Sequence, residues 1–186
     1  MGRLLRMIKT GVLVLCLCGV LFAADASGIW LDVPFVKQEK NGCGAASIAM
    51  VMQFWQGQQG RTLSPDAQAA NIQQVLFSNG ARGIYASDAE RYFQQNGYRT
   101  FVFRGEWADL RQHLEKGRPV IVALKPGSSA PLHYVVVTGL DWEHGLVLMN
   151  DPAERKLLKE DRSRFEREWS AAGSWTLLAL PRVDSH

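Results

Sequence analysis

The stretch Gln38-Glu39-Lys40-Asn41-Gly42-Cys43-Gly44-Ala45-Ala46-Ser47 decides how this chain is read. A glycine-flanked cysteine sits where a loop gives way to the apolar run Gly44 to Trp55, GAASIAMVMQFW. Small residues come first, and Ile48, Met50, Val51, Met52, Phe54 and Trp55 then cover most of the faces. The run therefore predicts a buried helix, ended by Gly57 and Gly60. Cys43 would lie in its first turn, where unpaired backbone amides favour negative charge. A thiol attacks as its anion, and a free cysteine with a pKa of about 8.5 is mostly protonated at neutral pH. A helix N-terminus and a neighbouring imidazole both lower that value. Taken alone, Cys43 is equally a small buried hydrophobe. Gly42 and Gly44 weigh against burial because they leave room for a carbonyl group to approach.

The chain has 186 residues, 47% of them hydrophobic and 10% aromatic, enough for one ordinary core and one sizeable domain. The N-terminus reads as a secretory signal peptide over residues 1–26. Arg3, Arg6 and Lys9 form a basic head, Gly11 to Phe22 is apolar or small, and Ala24-Asp25-Ala26 offers a small-x-small cleavage site before Ser27. The apolar run is about 12 residues against the roughly 20 a bilayer span requires, so an uncleaved anchor is the weaker reading. Of three cysteines, Cys16 and Cys18 fall in that leader, which leaves Cys43 without a disulfide partner in an exported protein. Formal net charge is +3, and without the leader 18 basic side chains face 17 acidic ones. That balance gives no electrostatic reason to expect nucleic acid or a membrane surface as partner. The mature chain is expected to be an exported monomer, periplasmic or secreted, with no stable membrane insertion after signal cleavage.

Beyond the first helix, Ile29 to Val36 reads as an extended lead-in broken by Pro34. Ser64-Pro65 predicts a second helix running to about Phe77, with serine as cap. Ser87-Asp88-Ala89-Glu90 and Ser163-Arg164-Phe165-Glu166 read as capping boxes of two further helices, the first closed by Gly97. Trp107 to Lys116 predicts another helix. Strands are expected at Tyr98–Phe103, Val120–Leu124, from His133 to about Leu140, at Leu146–Asn150 and at Trp175–Leu180. Helices come first and an antiparallel sheet follows, an α+β pattern with N-terminal helices packed on the sheet.

Four histidines offer an imidazole. His113 lies on a charged helix face, His144 in a hairpin turn and His186 at the chain end, each most simply a solvated side chain. His133 begins a β-branched strand, a rigid element suited to holding a base. Asp151 bears on it through register. If the strands from Leu132 to Leu140 and from Leu146 to Asp151 form a hairpin, Asp151 pairs within about two residues of His133. With Leu140 opposite Leu146, His133 and Asp151 project from one sheet face, and a slip of one residue separates them. A carboxylate so placed fixes the tautomer of the imidazole and supports its protonated form. Gln38 offers a side-chain amide just upstream of Cys43, where acyl transfer builds charge on a carbonyl oxygen. Singly, each of these has a bland reading: an edge histidine, a strand-ending turn, a polar loop residue.

Together, Gln38, Gly42-Cys43-Gly44, His133 at a strand start and Asn150-Asp151-Pro152 resemble the papain-like bacteriocin-processing cysteine peptidases, the double-glycine-leader peptidase family. The resemblance covers roughly residues 30–182. It implies a papain-like α+β fold over residues 27–186, with Cys43 the nucleophile, His133 the base, Asp151 the orienting acid and Gln38 the oxyanion donor. In that family the peptidase is commonly the cytosolic N-terminal part of an ABC exporter. The 186 residues here carry no transporter span and no GxxxxGK[ST] phosphate loop, so a standalone exported member is implied, acting on a peptide or protein substrate. No cysteine pair or HExxH motif points to zinc, and no cofactor is expected. A peptide-binding module that no longer turns over, and a thiol transpeptidase or amidase, are the competing functions.

Overall fold

The computed structural model describes residues 27–182; the expected leader, residues 1–26, and His186 lie outside them. Seven strands and five α-helices follow one another along the chain: β1 (Gly28–Trp30), α1 (Cys43–Gln58), α2 (Ala69–Leu76), α3 (Ala86–Gln95), β2 (Tyr98–Arg104), α4 (Trp107–Glu115), β3 (Val120–Leu124), β4 (His133–Asp141), β5 (Leu146–Asn150), β6 (Leu158–Asp161), α5 (Arg162–Ala171) and β7 (Trp175–Pro181). All strand pairs are antiparallel. The order across the sheet is β2-β7-β3-β4-β5-β6, with β1 paired to the far half of β4. The α+β class expected from the sequence is what the chain adopts.

Alternation along the central strands divides the core in two. Ile121, Ala123, Tyr134, Val136, Leu177 and Ala179 pack with α1 and α3 on one face. Val120, Val122, Val135, Val137 and Leu178 meet Leu110 and Leu114 of α4 and Phe165 and Trp169 of α5 on the other. Helices therefore cover both faces rather than one. Each valine, leucine, isoleucine or phenylalanine among them gains about 1.5–3 kcal/mol from full burial. Buried polar bonds fix α1 against the sheet: Ser47 Oγ donates to Tyr134 O at 3.2 Å, and Trp55 Nε1 donates to Ala179 O at 2.9 Å.

Several expected details differ, each for a local reason. The helix expected from Ser64 is a 3₁₀ turn, Pro65–Ala67, separated from α2 by extended Gln68. Ser64 does not cap it, because its N–H donates to Gln56 Oε1 and its hydroxyl accepts from Gln56 Nε2, tying it to α1. Ser87 lies inside α3, whose N-cap is Tyr85. Asp161, not Ser163, caps α5, accepting from the N–H groups of Ser163 and Arg164. The extended lead-in forms a strand only at its start, and β6 was not anticipated because its alternation of half-buried and exposed residues is short and highly charged. Among the described residues no helix is long and apolar enough to cross a membrane.

Candidate active site

Cys43 is the first residue of α1 and is half-buried, the one free cysteine among the described residues. Its N-cap, Gly42, contributes no side-chain bond, so the first-turn amides face the thiol without competition from a capping oxygen. Gly42 also folds close over the preceding turn: its N–H donates to Glu39 O at 2.9 Å, and a Cβ there would lie 3.0 Å from the same oxygen. A side chain at the position preceding the cysteine would crowd this tight turn, which favours glycine there.

His133 opens β4. Its Nε2 lies 2.8 Å from Asp151 Oδ1, and its ring is close enough to the Cys43 thiol that each group shifts the other's pKa. Asp151 follows directly after β5 and is buried. Its Oδ1 also accepts from Ala153 N–H at 2.8 Å. A carboxylate that accepts from Nε2 leaves Nδ1 as the nitrogen that exchanges a proton with sulfur.

The electrostatics follow from those bonds. Burial alone pushes the Cys43 thiol up, yet the His133 hydrogen bond, the Tyr134 and Gly44 backbone amides and the imidazolium charge bring it below its ordinary value. Burial alone pushes His133 down, but Asp151 and Cys43 together raise it to about 9. Burial raises Asp151, and its bonds to His133 and the Ala153 and Glu154 amides outweigh that and lower it. The three shifts all favour the same charged forms, a thiolate and an imidazolium steadied by a carboxylate. That arrangement can attack a carbonyl carbon and then protonate the departing group.

Next to the site the strands keep the expected register, with Val136 opposite Asn150, but at the turn end they do not. Leu140 pairs with Val147, not Leu146, which by itself would turn Asp151 to the opposite face. A β-bulge corrects this: Val137 pairs with Met149 while Gly139 pairs with Leu148, so Thr138 is an extra residue in β4.

Gln38 comes near the group through its backbone, whose N–H donates to Pro152 O at 3.0 Å, next to Asp151. Its Oε1 is buried without a hydrogen bond. His144 bonds Asp141 within the β4–β5 turn and is exposed, as expected. His113 is not the solvated side chain anticipated. It is half-buried with its ring 5.8 Å from that of Phe103, its Nδ1 has no partner, and burial holds its pKa below the usual value. It takes no part in the site. The backbone amide of Tyr134, which helps to lower the Cys43 pKa, has no sequence signal, because a main-chain amide does not depend on the side chain it carries.

Beside His133 and Asp151, on the side of α5, lies a cavity of about 470 Å³ lined among others by Leu124, Met149, Glu160 and Arg164. Among the described residues no group of three or more His, Cys, Asp or Glu could hold a metal ion.

A cysteine at a helix start, a histidine at a strand start and an aspartate just past the end of the neighbouring strand, on an antiparallel sheet, is the layout of a papain-like cysteine-type peptidase. The Peptidase_C39 like family matches residues 30–176, and the chain belongs to that family. Solved structures give the same fold. A C39-like peptidase from Bacillus anthracis superposes with a TM-score of 0.65 at 18% identity, covering 84% of this chain and 99% of its own. The peptidase domain of Streptococcus ComA, a bifunctional ABC transporter of a quorum-sensing pathway, gives 0.61 at 22% identity, covering 80% and 98%. A double glycine motif protease from an AMS/PCAT transporter, in complex with the leader peptide, gives 0.59 at 21% identity, covering 82% and 94%. No curated protein matches the chain.

Proposed function

We propose that this cysteine peptidase is an exported enzyme that hydrolyses peptide bonds with Cys43 as nucleophile, His133 as acid and base, Asp151 as orienting carboxylate and Gln38 as oxyanion donor. The observation that carries the reading is the place of His133, with Nε2 2.8 Å from Asp151 Oδ1 and its ring near enough to Cys43 for the two to shift each other's pKa. The Cys43 thiolate adds to the carbonyl carbon, forming a C–S bond while negative charge collects on oxygen. The Cys43 N–H and the Gln38 amide offer donors to that oxygen. As the tetrahedral species collapses, the C–N bond breaks and the imidazolium gives its proton to the leaving amine. Water then attacks the thioester, His133 takes up its proton, and the carboxylic product leaves with the thiolate and imidazolium restored.

A peptide is the substrate class, in keeping with the leader peptide bound by the AMS/PCAT protease. Export rests on the basic head, apolar run and small-x-small site of residues 1–26, and the mature chain would act as a monomer. Trapping with a peptide-based electrophile library, read by mass spectrometry, tests the assignment. Labelling should fall on Cys43 and vanish in His133→Ala, and the parent protein should cleave a peptide that matches the preferred label. Peptide binding that survives Cys43→Ala, with no cleavage by the parent, would instead define a binding module. Transfer of the acyl group to an added amine would define a transpeptidase.

A further inference from the structure

Asn150, the last residue of β5, is fully buried although its side chain is polar. A buried amide is costly unless its donor and acceptor are both used. Here Nδ2 donates to Val33 O at 3.1 Å and to Pro34 O at 3.4 Å, and Oδ1 accepts from Leu157 N–H at 3.0 Å. Three separate segments therefore meet on one side chain: the end of β5, the lead-in to the cysteine loop, and the return of the turn that follows Asp151. Leu157 has φ +52°, a left-handed conformation that L-residues rarely adopt, and the bond to Asn150 helps to hold it there.

Between Asn150 and Leu157 lies the turn that aims the carboxylate. Asp151 N–H donates to Arg155 O at 3.2 Å, Glu154 N–H donates to Asp151 O at 3.1 Å, and Ala153 N–H donates to Asp151 Oδ1 at 2.8 Å. The same turn receives Gln38 N–H on Pro152 O, four residues after the carbonyl of Pro34 that Asn150 grips. The sheet side of the site and the loop side are thus pinned to each other at these two points and, at the surface, by the Lys156–Asp32 ion pair; of the side chains that do so, Asn150 is the fully buried one.

We propose that Asn150 is a positioning residue: its amide sets the separation between the Asp151–His133 pair on the sheet and the loop bearing Gln38 and Cys43. The proposal rests on the reading that those four residues perform the chemistry. An amide suits the task because it donates and accepts without charge. A carboxylate would set a charge against two carbonyl oxygens, and an aliphatic side chain would strand an N–H and two C=O groups.

The test is the pH profile of Cys43 alkylation by iodoacetamide, measured on the parent and on Asn150→Ser, with thermal unfolding followed in parallel. Serine is neutral and too short to reach both Val33 O and Leu157 N–H. In the folded variant the inflection should move up toward that of an ordinary thiol. At a fixed pH below it the rate should fall about tenfold per unit of movement, since the thiolate fraction falls in that proportion. A purely structural asparagine would lower the unfolding temperature and leave the profile of the folded protein in place, which would overturn the proposal. If Asn150→Ser does not fold, Asn150→Thr, which fills more of the volume, takes the same measurement with the same two outcomes. An ordinary profile in the parent would sink the catalytic reading itself, and the proposal with it. A depressed parent profile matched by the variant would sink the proposal alone.

Discussion

His133 Nε2 stands 2.8 Å from Asp151 Oδ1 because β4 carries one residue more than its partner strand between the histidine and the hairpin turn. At the turn Leu140 faces Val147, and further along Val137 faces Met149. Side chains alternate between faces, so the surplus residue, Thr138, exchanges the faces presented on either side of it. Had the turn-end register continued, Asp151 would have paired across from Val136 and pointed away from the imidazole. Thr138 is buried, and its hydroxyl donates to Leu148 O at 3.2 Å, so the bulge is bonded in place.

Asp151→Asn keeps the shape of the side chain and an oxygen for the Ala153 N–H, but removes the charge that supports the imidazolium. His133 should then titrate below its present value of about 9, and the alkaline limb of activity should move down with it. Turnover should fall about 10²-fold through loss of alignment and charge support, with circular dichroism unchanged. Unaltered turnover would remove Asp151 from the mechanism.

The paired shifts of Cys43 and His133 fix the pH response. The thiol is ionised at a lower pH than an ordinary cysteine, and the imidazole keeps its proton up to about 9. Activity should follow a bell bounded below by the depressed thiol and above by the raised imidazole. The stability consequence has a definite sign. A group whose pKa is raised on folding contributes fully below its unfolded value and loses that contribution as the pH rises through the folded one. The stability difference between the parent and His133→Ala should therefore shrink as the pH climbs from about 6.5 through 9, read by thermal melts across that window.

Gln38→Ala tests the oxyanion role apart from the ion pair. Gln38 makes no hydrogen bond to Cys43 or His133, so the alkylation profile of the thiol should stay where it is. Peptide turnover should nevertheless fall about 10²–10³-fold, the usual cost of one oxyanion donor. A change in alkylation with no change in turnover would reverse the assignment.

What the sequence reveals here depends on how local the signal is. The helix after Gly42-Cys43-Gly44 is written in one apolar run and appears within a few residues of its expected ends. The strand from His133 is equally plain, since its β-branched residues are buried on both faces. Caps were less readable: Ser64 and Ser87 have the right chemistry, but Gln56 claims the first, and the second falls inside its helix. Ser163 loses to Asp161, which stands two residues earlier and whose carboxylate reaches two amides. The register expected beside His133 and Asp151 is the one found there, but its extension to Leu140 opposite Leu146 is not, because a bulge that no local pattern announces lies between. His113 looked solvated from its charged neighbours, and only the tertiary contact with Phe103 removes it from water.

The bulge also separates the site from the far half of β4, which makes a substitution there informative. Gly139 lies against β1, and a Cβ on it would sit 2.5 Å from Ile29 O and 2.8 Å from Trp30 Cβ. Backbone cannot yield as a flexible side-chain tip can, so Gly139→Ala must push β1 off the edge of β4. The cost should be about 1–3 kcal/mol, as for other overpacked interiors, and a lowered unfolding temperature would register it. His133 and the β3 pairing from Val120 to Leu124 lie on the other side of Thr138, and the chain that follows β1 is anchored before the cysteine loop by Leu31 N–H on Thr138 O and by Asn150 on Val33 O and Pro34 O. The folded fraction of Gly139→Ala should therefore keep the parent's alkylation profile and turnover per active site. A shifted thiol titration in this variant would show that the bulge transmits strain toward the imidazole rather than absorbing it.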